Sequence, residues 1–91
     1  MNNYDRFFEM LNKVPAIADL WDVKRRSLKL EEFEQALGVM SSGEAQMAKF
    51  FASVWFHHNE DYGFDLVHAV SQIDLNERRL IVEWIAKPFY P

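Results

Sequence analysis

Three histidines and three carboxylates fall within the twelve residues from His57 to His68. Imidazole nitrogen and carboxylate oxygen suit zinc or iron, and Asp65 and His68 are spaced by one helical turn. A metal site in this segment would use His58, Asp61, Asp65 and His68. It would make the protein a small metal-dependent enzyme or a metal-binding protein.

The same segment also fits an ordinary junction between two helices. If the preceding helix continues to His58, His57 falls on its polar stripe and His58 on its apolar side, whereas metal ligands must converge. Asp61 or Asp65 is also a suitable residue to cap the next helix. We therefore expect neither a metal nor another cofactor here, and the site of His58, Asp61, Asp65 and His68 is the alternative.

Patterns typical of other catalytic sites are missing from the sequence. The chain has no cysteine, its three glycines are scattered at 38, 43 and 63, and its serines stand in no nucleophile elbow. We therefore expect no catalytic residues and favour a protein without enzymatic activity.

The segment from Arg26 to Leu37 is similar to the exit side of an EF-hand, where Glu-Glu-Phe begins a helix. With Glu32 as the twelfth loop residue, positions one, three and five would be Trp21, Val23 and Arg25. None of these side chains offers an oxygen to calcium. The acidic residues here are better explained as the favourably charged start of an amphipathic helix.

Charge and hydropathy narrow the possible partners. The net charge is −4, and the single basic run, Lys24 to Arg26, is flanked by acidic residues, so we expect no nucleic-acid binding. Charged residues interrupt the first thirteen positions, and no stretch approaches the roughly 20 apolar residues of a membrane span. We expect a cytoplasmic protein without membrane contact.

Helical periodicity predicts an all-α fold of one domain, residues 1–91, with no sheet. The pattern indicates a compact bundle of five to six short helices, at about 4–13, 15–23, 28 or 30–40 with Ser27 as cap, 44–58, 64–73 and 75–87. The helix at 44–58 is apolar on nearly all sides and is predicted to be central. Capping-box spacing marks two helix starts, Ser41 with Glu44 and Asp74 with Glu77. We predict a core that includes Phe33, Leu37, Phe51, Trp55, Leu66, Val70, Ile81 and Trp84.

The last helix and the tail carry more apolar residues than a surface helix and a chain end usually do. Leu80 to Ile85 are largely apolar, and Phe89 and Tyr90 follow Pro88. Either the tail covers the protein's own core or it meets a partner. We predict a small acidic protein–protein interaction module, of adaptor, immunity or regulatory type, that uses Val82, Phe89 and Tyr90. Its partner would be another protein or a second copy of this chain in a homodimer.

Overall fold

Six helices and one short hairpin form within residues 2–91, which are the residues that the computed structural model describes. The elements are α1 (Asn3–Leu11), α2 (Pro15–Ala18), β1 (Trp21–Asp22), β2 (Ser27–Leu28), α3 (Leu30–Leu37), α4 (Ser42–Phe56), α5 (Leu66–Val70) and α6 (Leu75–Ala86). The radius of gyration is 12.1 Å, against roughly 12 Å for a folded chain of this length. The predicted compact bundle of short helices is confirmed.

Helix α4 is the central element, as its apolar composition predicted. Phe51 meets Phe7 of α1 with ring centroids 5.7 Å apart, and on another side Phe50 meets Trp84 of α6 at 5.7 Å. One hydrophobic cluster runs from α1 to the tail and includes six buried apolar residues of α4. Packing around α4 is therefore what holds the other helices in place.

Local side-chain caps start both long helices, as the spacing predicted. The Ser41 hydroxyl accepts from the Glu44 N–H at 3.2 Å, and the Glu44 carboxylate accepts from the Ser41 N–H at 3.2 Å. The same exchange joins Asp74 and Glu77 at the start of α6, with distances of 2.7 and 3.0 Å. These bonds satisfy backbone donors that have no partner inside the helix.

The expectation of a fold without a sheet is wrong between residues 21 and 28. Helix α2 ends at Ala18, and Trp21 pairs with Leu28 in an antiparallel hairpin. Asp22 accepts from the Arg25 N–H at 3.0 Å and so closes the turn. The buried Trp21 and partly buried Leu28 supply the apolar side of the hairpin, and Ser27 belongs to β2 instead of capping α3.

The predicted core is confirmed in part. Phe33, Phe51 and Ile81 are buried, and Leu37, Trp55 and Trp84 pack against the core while partly exposed. Leu66 and Val70 are not core residues, since they are 44% and 40% exposed. Helix α5 has five residues instead of the ten predicted, so only Ala69 and the following Ile73 are covered along its inner side.

Candidate functional site

The site lies where α4 ends and the chain turns back. Helix α4 ends at Phe56, because His57 adopts the left-handed conformation with φ of 67°. Gly63, with φ of 62°, closes the following loop, and its N–H donates to the Asn59 carbonyl at 2.9 Å. The Asn59 side chain in turn donates to the Phe64 carbonyl at 3.0 Å, which fixes Phe64 beside the end of α4.

The tail forms the opposite side of the site and is held by contacts with α1 and α6. Arg6 donates to the Lys87 carbonyl at 2.6 Å, and its guanidinium lies 4.6 Å from the centre of the Phe89 ring. The Trp84 indole N–H donates to the Phe89 carbonyl at 2.9 Å. The Phe89 side chain is 5% exposed. These contacts fix the path of the tail and bring Tyr90 next to α6.

Between the loop and the tail lies an open cavity of about 330 Å³, which we call the aromatic groove. Its wall is formed by Phe50, Phe64, Trp84 and Tyr90. Phe50 lies 5.7 Å from both Phe64 and Trp84, and Trp84 lies 5.6 Å from Tyr90, measured between ring centroids. The aromatic groove therefore offers a nearly continuous apolar surface to a bound group.

Polar atoms stand along the edge of the aromatic groove. His57, His58, Asn59 and Ser53 line it together with the four aromatic rings. The His57 Nε2 atom lies 2.9 Å from the Pro91 carbonyl oxygen, and its ring lies 5.4 Å from Tyr90. The lining has no Lys, Arg, Asp or Glu, so the aromatic groove is suited to an uncharged, largely apolar group.

Exposed apolar side chains lie on the outer side of α6. Val82 is 61% exposed, and Ile85, which follows Trp84 of the groove wall, is also exposed. Tyr90 is 49% exposed at the groove itself. We call Val82, Ile85 and Tyr90 the α6 surface.

The three residues predicted to contact a partner therefore have different surroundings. Val82 and Tyr90 are exposed and available for contact. The prediction for Phe89 requires correction, because its ring is buried against the protein's own core and beneath Arg6. The tail thus covers part of the core through Phe89 and reaches solvent through Tyr90.

The side chains of His58, Asp61 and Asp65, three of the four residues of the alternative metal site, have separate contacts. Asp65 caps α5 by accepting from the His68 N–H at 3.2 Å, and the His58 ring accepts from the Glu60 N–H at 3.3 Å. Asp61 lines a separate cavity, described below. Across residues 2–91, no three His, Asp or Glu side chains are grouped so that they could hold a metal ion. His57 and His58 also lie beyond the end of α4 at Phe56, so they do not occupy opposite faces of that helix, contrary to the prediction from the sequence pattern.

The aromatic groove was not predicted from the sequence. Phe50 and Phe64 were visible as apolar positions, but nothing in their spacing indicated that both rings would meet the tail. The left-handed turn at His57 brings them together, and histidine is not the residue usually found in that conformation.

Comparisons with protein-family models, curated proteins and solved structures found no match for the chain. Among the helices of residues 2–91, none has the length and apolar character needed to cross a membrane.

Proposed function

We propose that this protein binds another protein through the aromatic groove and the α6 surface, and that it has no catalytic activity of its own. The observations that carry the proposal are the open aromatic groove, which the exposed Tyr90 lines, and the exposed apolar side chains of Val82 and Ile85 on α6. In this reading the protein is an adaptor or regulator that acts by occupying a surface of its partner.

The composition of the site supports a protein as the ligand. Aromatic side chains supply large, rigid contact areas and dominate the binding energy of many interfaces. The volume of about 330 Å³ lies near the lower end of the range of about 300 to 1,000 Å³ for small-molecule sites. An apolar side chain of a partner fits within it beside Tyr90, while Val82 and Ile85 offer further apolar contacts on α6.

The polar residues along the edge of the aromatic groove suit a partner that inserts an apolar side chain and has polar backbone groups on either side of it. His57, His58 and Asn59 can exchange hydrogen bonds with the partner's backbone around the inserted side chain. Such bonds would set the orientation of the partner, whereas burial of the anchor would supply most of the affinity.

The test compares variants of exposed residues that leave the core intact. Val82→Asp places a charge on the α6 surface, and Tyr90→Ala removes one side of the aromatic groove. Val39→Asp is the matched control, because Val39 is 86% exposed in the connection between α3 and α4. Each tagged variant is used to capture proteins from the native host, and the binding of each captured protein is then measured with purified components.

We expect Val82→Asp and Tyr90→Ala each to weaken binding by about 30-fold, which corresponds to roughly 2 kcal/mol at an interface anchor. Val39→Asp should bind like the unmodified protein. Sedimentation of the purified protein at two concentrations shows whether the partner is a second copy. Equal binding by all three folded variants would contradict the proposal.

A further inference from the structure

A second cavity, of about 290 Å³, lies between the start of α3, the end of α4 and the loop that follows α4. It is lined by Leu30, Glu34, Phe56, Asp61 and Tyr62, none of which lines the aromatic groove. Two of the five are aromatic and two are carboxylates. We call it the acidic cavity.

The aromatic walls of the acidic cavity are held by their own contacts. The Tyr62 ring packs against the buried Phe33 with centroids 4.9 Å apart, and its hydroxyl donates to the Glu34 carboxylate at 3.3 Å. Phe56 is the last residue of α4 and is partly buried against the core. A ligand would therefore meet rings whose positions are already set.

The electrostatic character of the acidic cavity is negative. Its lining contains two carboxylates and neither Lys nor Arg, and within residues 2–91 neither Glu34 nor Asp61 forms an ion pair. The pKa of the Tyr62 hydroxyl is raised, first by burial, then by the charge of Glu34 and the hydrogen bond to it, and last by the charge of Asp61. The negative charges of Glu34 and Asp61 thus both act on the Tyr62 hydroxyl in the cavity wall.

We infer that the acidic cavity binds an organic cation, an ammonium or guanidinium group, between the carboxylates of Glu34 and Asp61 and the rings of Phe56 and Tyr62. The face of an aromatic ring attracts a cation, and the exposed carboxylates of Glu34 and Asp61 can pair with it. A weakly hydrated organic cation can use both kinds of contact. Calcium and magnesium bind oxygen ligands and water, so the rings of Phe56 and Tyr62 would contribute little to their binding.

The size of the acidic cavity limits the ligand to one small cationic group. A volume of about 290 Å³ lies just below the range of about 300 to 1,000 Å³ for small-molecule sites. The cation is therefore either the side chain of a lysine or arginine on a protein, or the head group of a free ammonium compound.

Nuclear magnetic resonance titration of the folded protein tests the inference. Choline is compared with 3,3-dimethylbutan-1-ol, which has the same shape without the charge. Short glycine peptides with a central lysine, trimethyllysine or arginine are compared with the norleucine peptide. Shifts of the Phe56 and Tyr62 ring signals report binding at the acidic cavity, and the tighter of the choline and peptide series identifies the source of the cation.

We expect at least one cationic ligand to bind ten times or more tightly than its uncharged counterpart. Glu34→Gln and Asp61→Asn should each weaken that binding about tenfold. Glu31→Gln is the matched control, because it makes the same change of charge at an exposed position of α3 outside the acidic cavity. Its affinity should stay within about twofold of the original.

Three results would overturn the inference. The first is that none of the cationic ligands shifts the Phe56 and Tyr62 signals. The second is equal binding of charged and uncharged ligands, which would indicate an apolar cavity only. The third is an equal loss of affinity in Glu31→Gln and Glu34→Gln, which would indicate attraction to the overall negative charge.

Discussion

Tyr62 connects two parts of the chain that are far apart in sequence. Its ring lies on Phe33 and its hydroxyl donates to Glu34, so the loop after α4 is attached to α3 by one side chain. Burial and the neighbouring carboxylates favour the neutral phenol and raise the pKa of Tyr62 above its ordinary value of about 10. This side chain should therefore make stability depend on pH in alkaline solution.

The direction of that dependence follows from proton binding. In alkaline solution an unfolded chain loses the Tyr62 proton at a lower pH than the folded protein does, so the free energy of unfolding falls as the pH rises through this range. We expect the stability advantage of the unmodified protein over Tyr62→Phe to be larger at pH 8 than at pH 11. Urea unfolding of both proteins at the two pH values measures the difference.

Glu34→Gln provides the matched comparison. It removes one of the two charges and the charged hydrogen-bond acceptor that raise the pKa of Tyr62, but it leaves the burial of the ring. The pH dependence assigned to Tyr62 should therefore become weaker without disappearing. An advantage over Tyr62→Phe that is constant or grows with pH would refute this account.

Individual residues were predictable where their role is local. Ser41, Asp65 and Asp74 cap helices as expected, because the capping bond joins residues three apart in the chain. The roles of His57 and Phe89 were not predictable in the same way. In the folded protein His57 contacts Tyr90 and Pro91, which are far from it in the sequence. The Phe89 ring lies beneath Arg6, which belongs to the first helix.

At the scale of elements, α6 depends on the cap at its first turn. Replacing Asp74 with Ala removes the acceptor for the Glu77 N–H and should destabilise the protein by about 1 kcal/mol. Asp74→Ser keeps a capping oxygen and should recover most of that loss. Urea unfolding monitored by circular dichroism measures both.

Asn76→Ala is the control for the Asp74 variants. Asn76 is exposed in the same helical turn, and its replacement removes a polar side chain that does not cap the helix. If Asp74→Ala costs no more stability than Asn76→Ala, the capping box contributes nothing to α6.

A helix was predictable from the sequence when it repeats buried apolar residues along one face over several turns. The long helices α4 and α6 repeat apolar residues over several turns, and both were predicted to within a few residues. The hairpin was missed because it has two residues in each strand and its turn depends on Asp22, so no alternation could develop. The length of helix α5 was overestimated, because the apolar pattern in the sequence continues into residues that lie outside the helix.

At the scale of the whole molecule, aromatic contacts join elements that are distant in the sequence. Phe7 lies within 6 Å of three rings from other elements, those of Trp21, Phe51 and Trp55, at centroid distances of 5.6, 5.7 and 5.1 Å. Periodicity identifies which face of each helix is apolar but not which faces meet. The aromatic groove and the acidic cavity each form where side chains from different elements come into contact, so neither could be predicted from the sequence.

The tail is part of this core through Phe89. Phe89→Ala should destabilise the protein by about 3 to 5 kcal/mol, because a buried ring is replaced by a cavity. That is a large share of the roughly 5 to 15 kcal/mol that stabilises a small protein. Tyr90→Ala, next in the chain and half exposed, should cost much less. Thermal and urea unfolding of the two variants provide the comparison.

The same comparison decides the role of the tail in binding. Removing residues 88–91 together would delete the Phe89 ring from the core and disturb the fold, so single replacements are the sharper test. A Phe89→Ala variant that unfolds like the unmodified protein would show that Phe89 is not needed for folding. Phe89 would then become a candidate for partner contact again.

The contacts of Arg6 with Lys87 and Phe89 also determine when the fold can be completed during synthesis. Arg6 and Lys87 are separated by 81 positions in the chain. At about 5 to 20 residues per second, a ribosome needs roughly 4 to 16 s to make the segment between them. Within that interval the aromatic partners of Phe7 and Phe8, which are Trp21, Phe51 and Trp55, are made before the tail. The apolar face of α1 is therefore covered in two steps, first by the hairpin and α4, and the contacts of Arg6 with the tail complete the fold last.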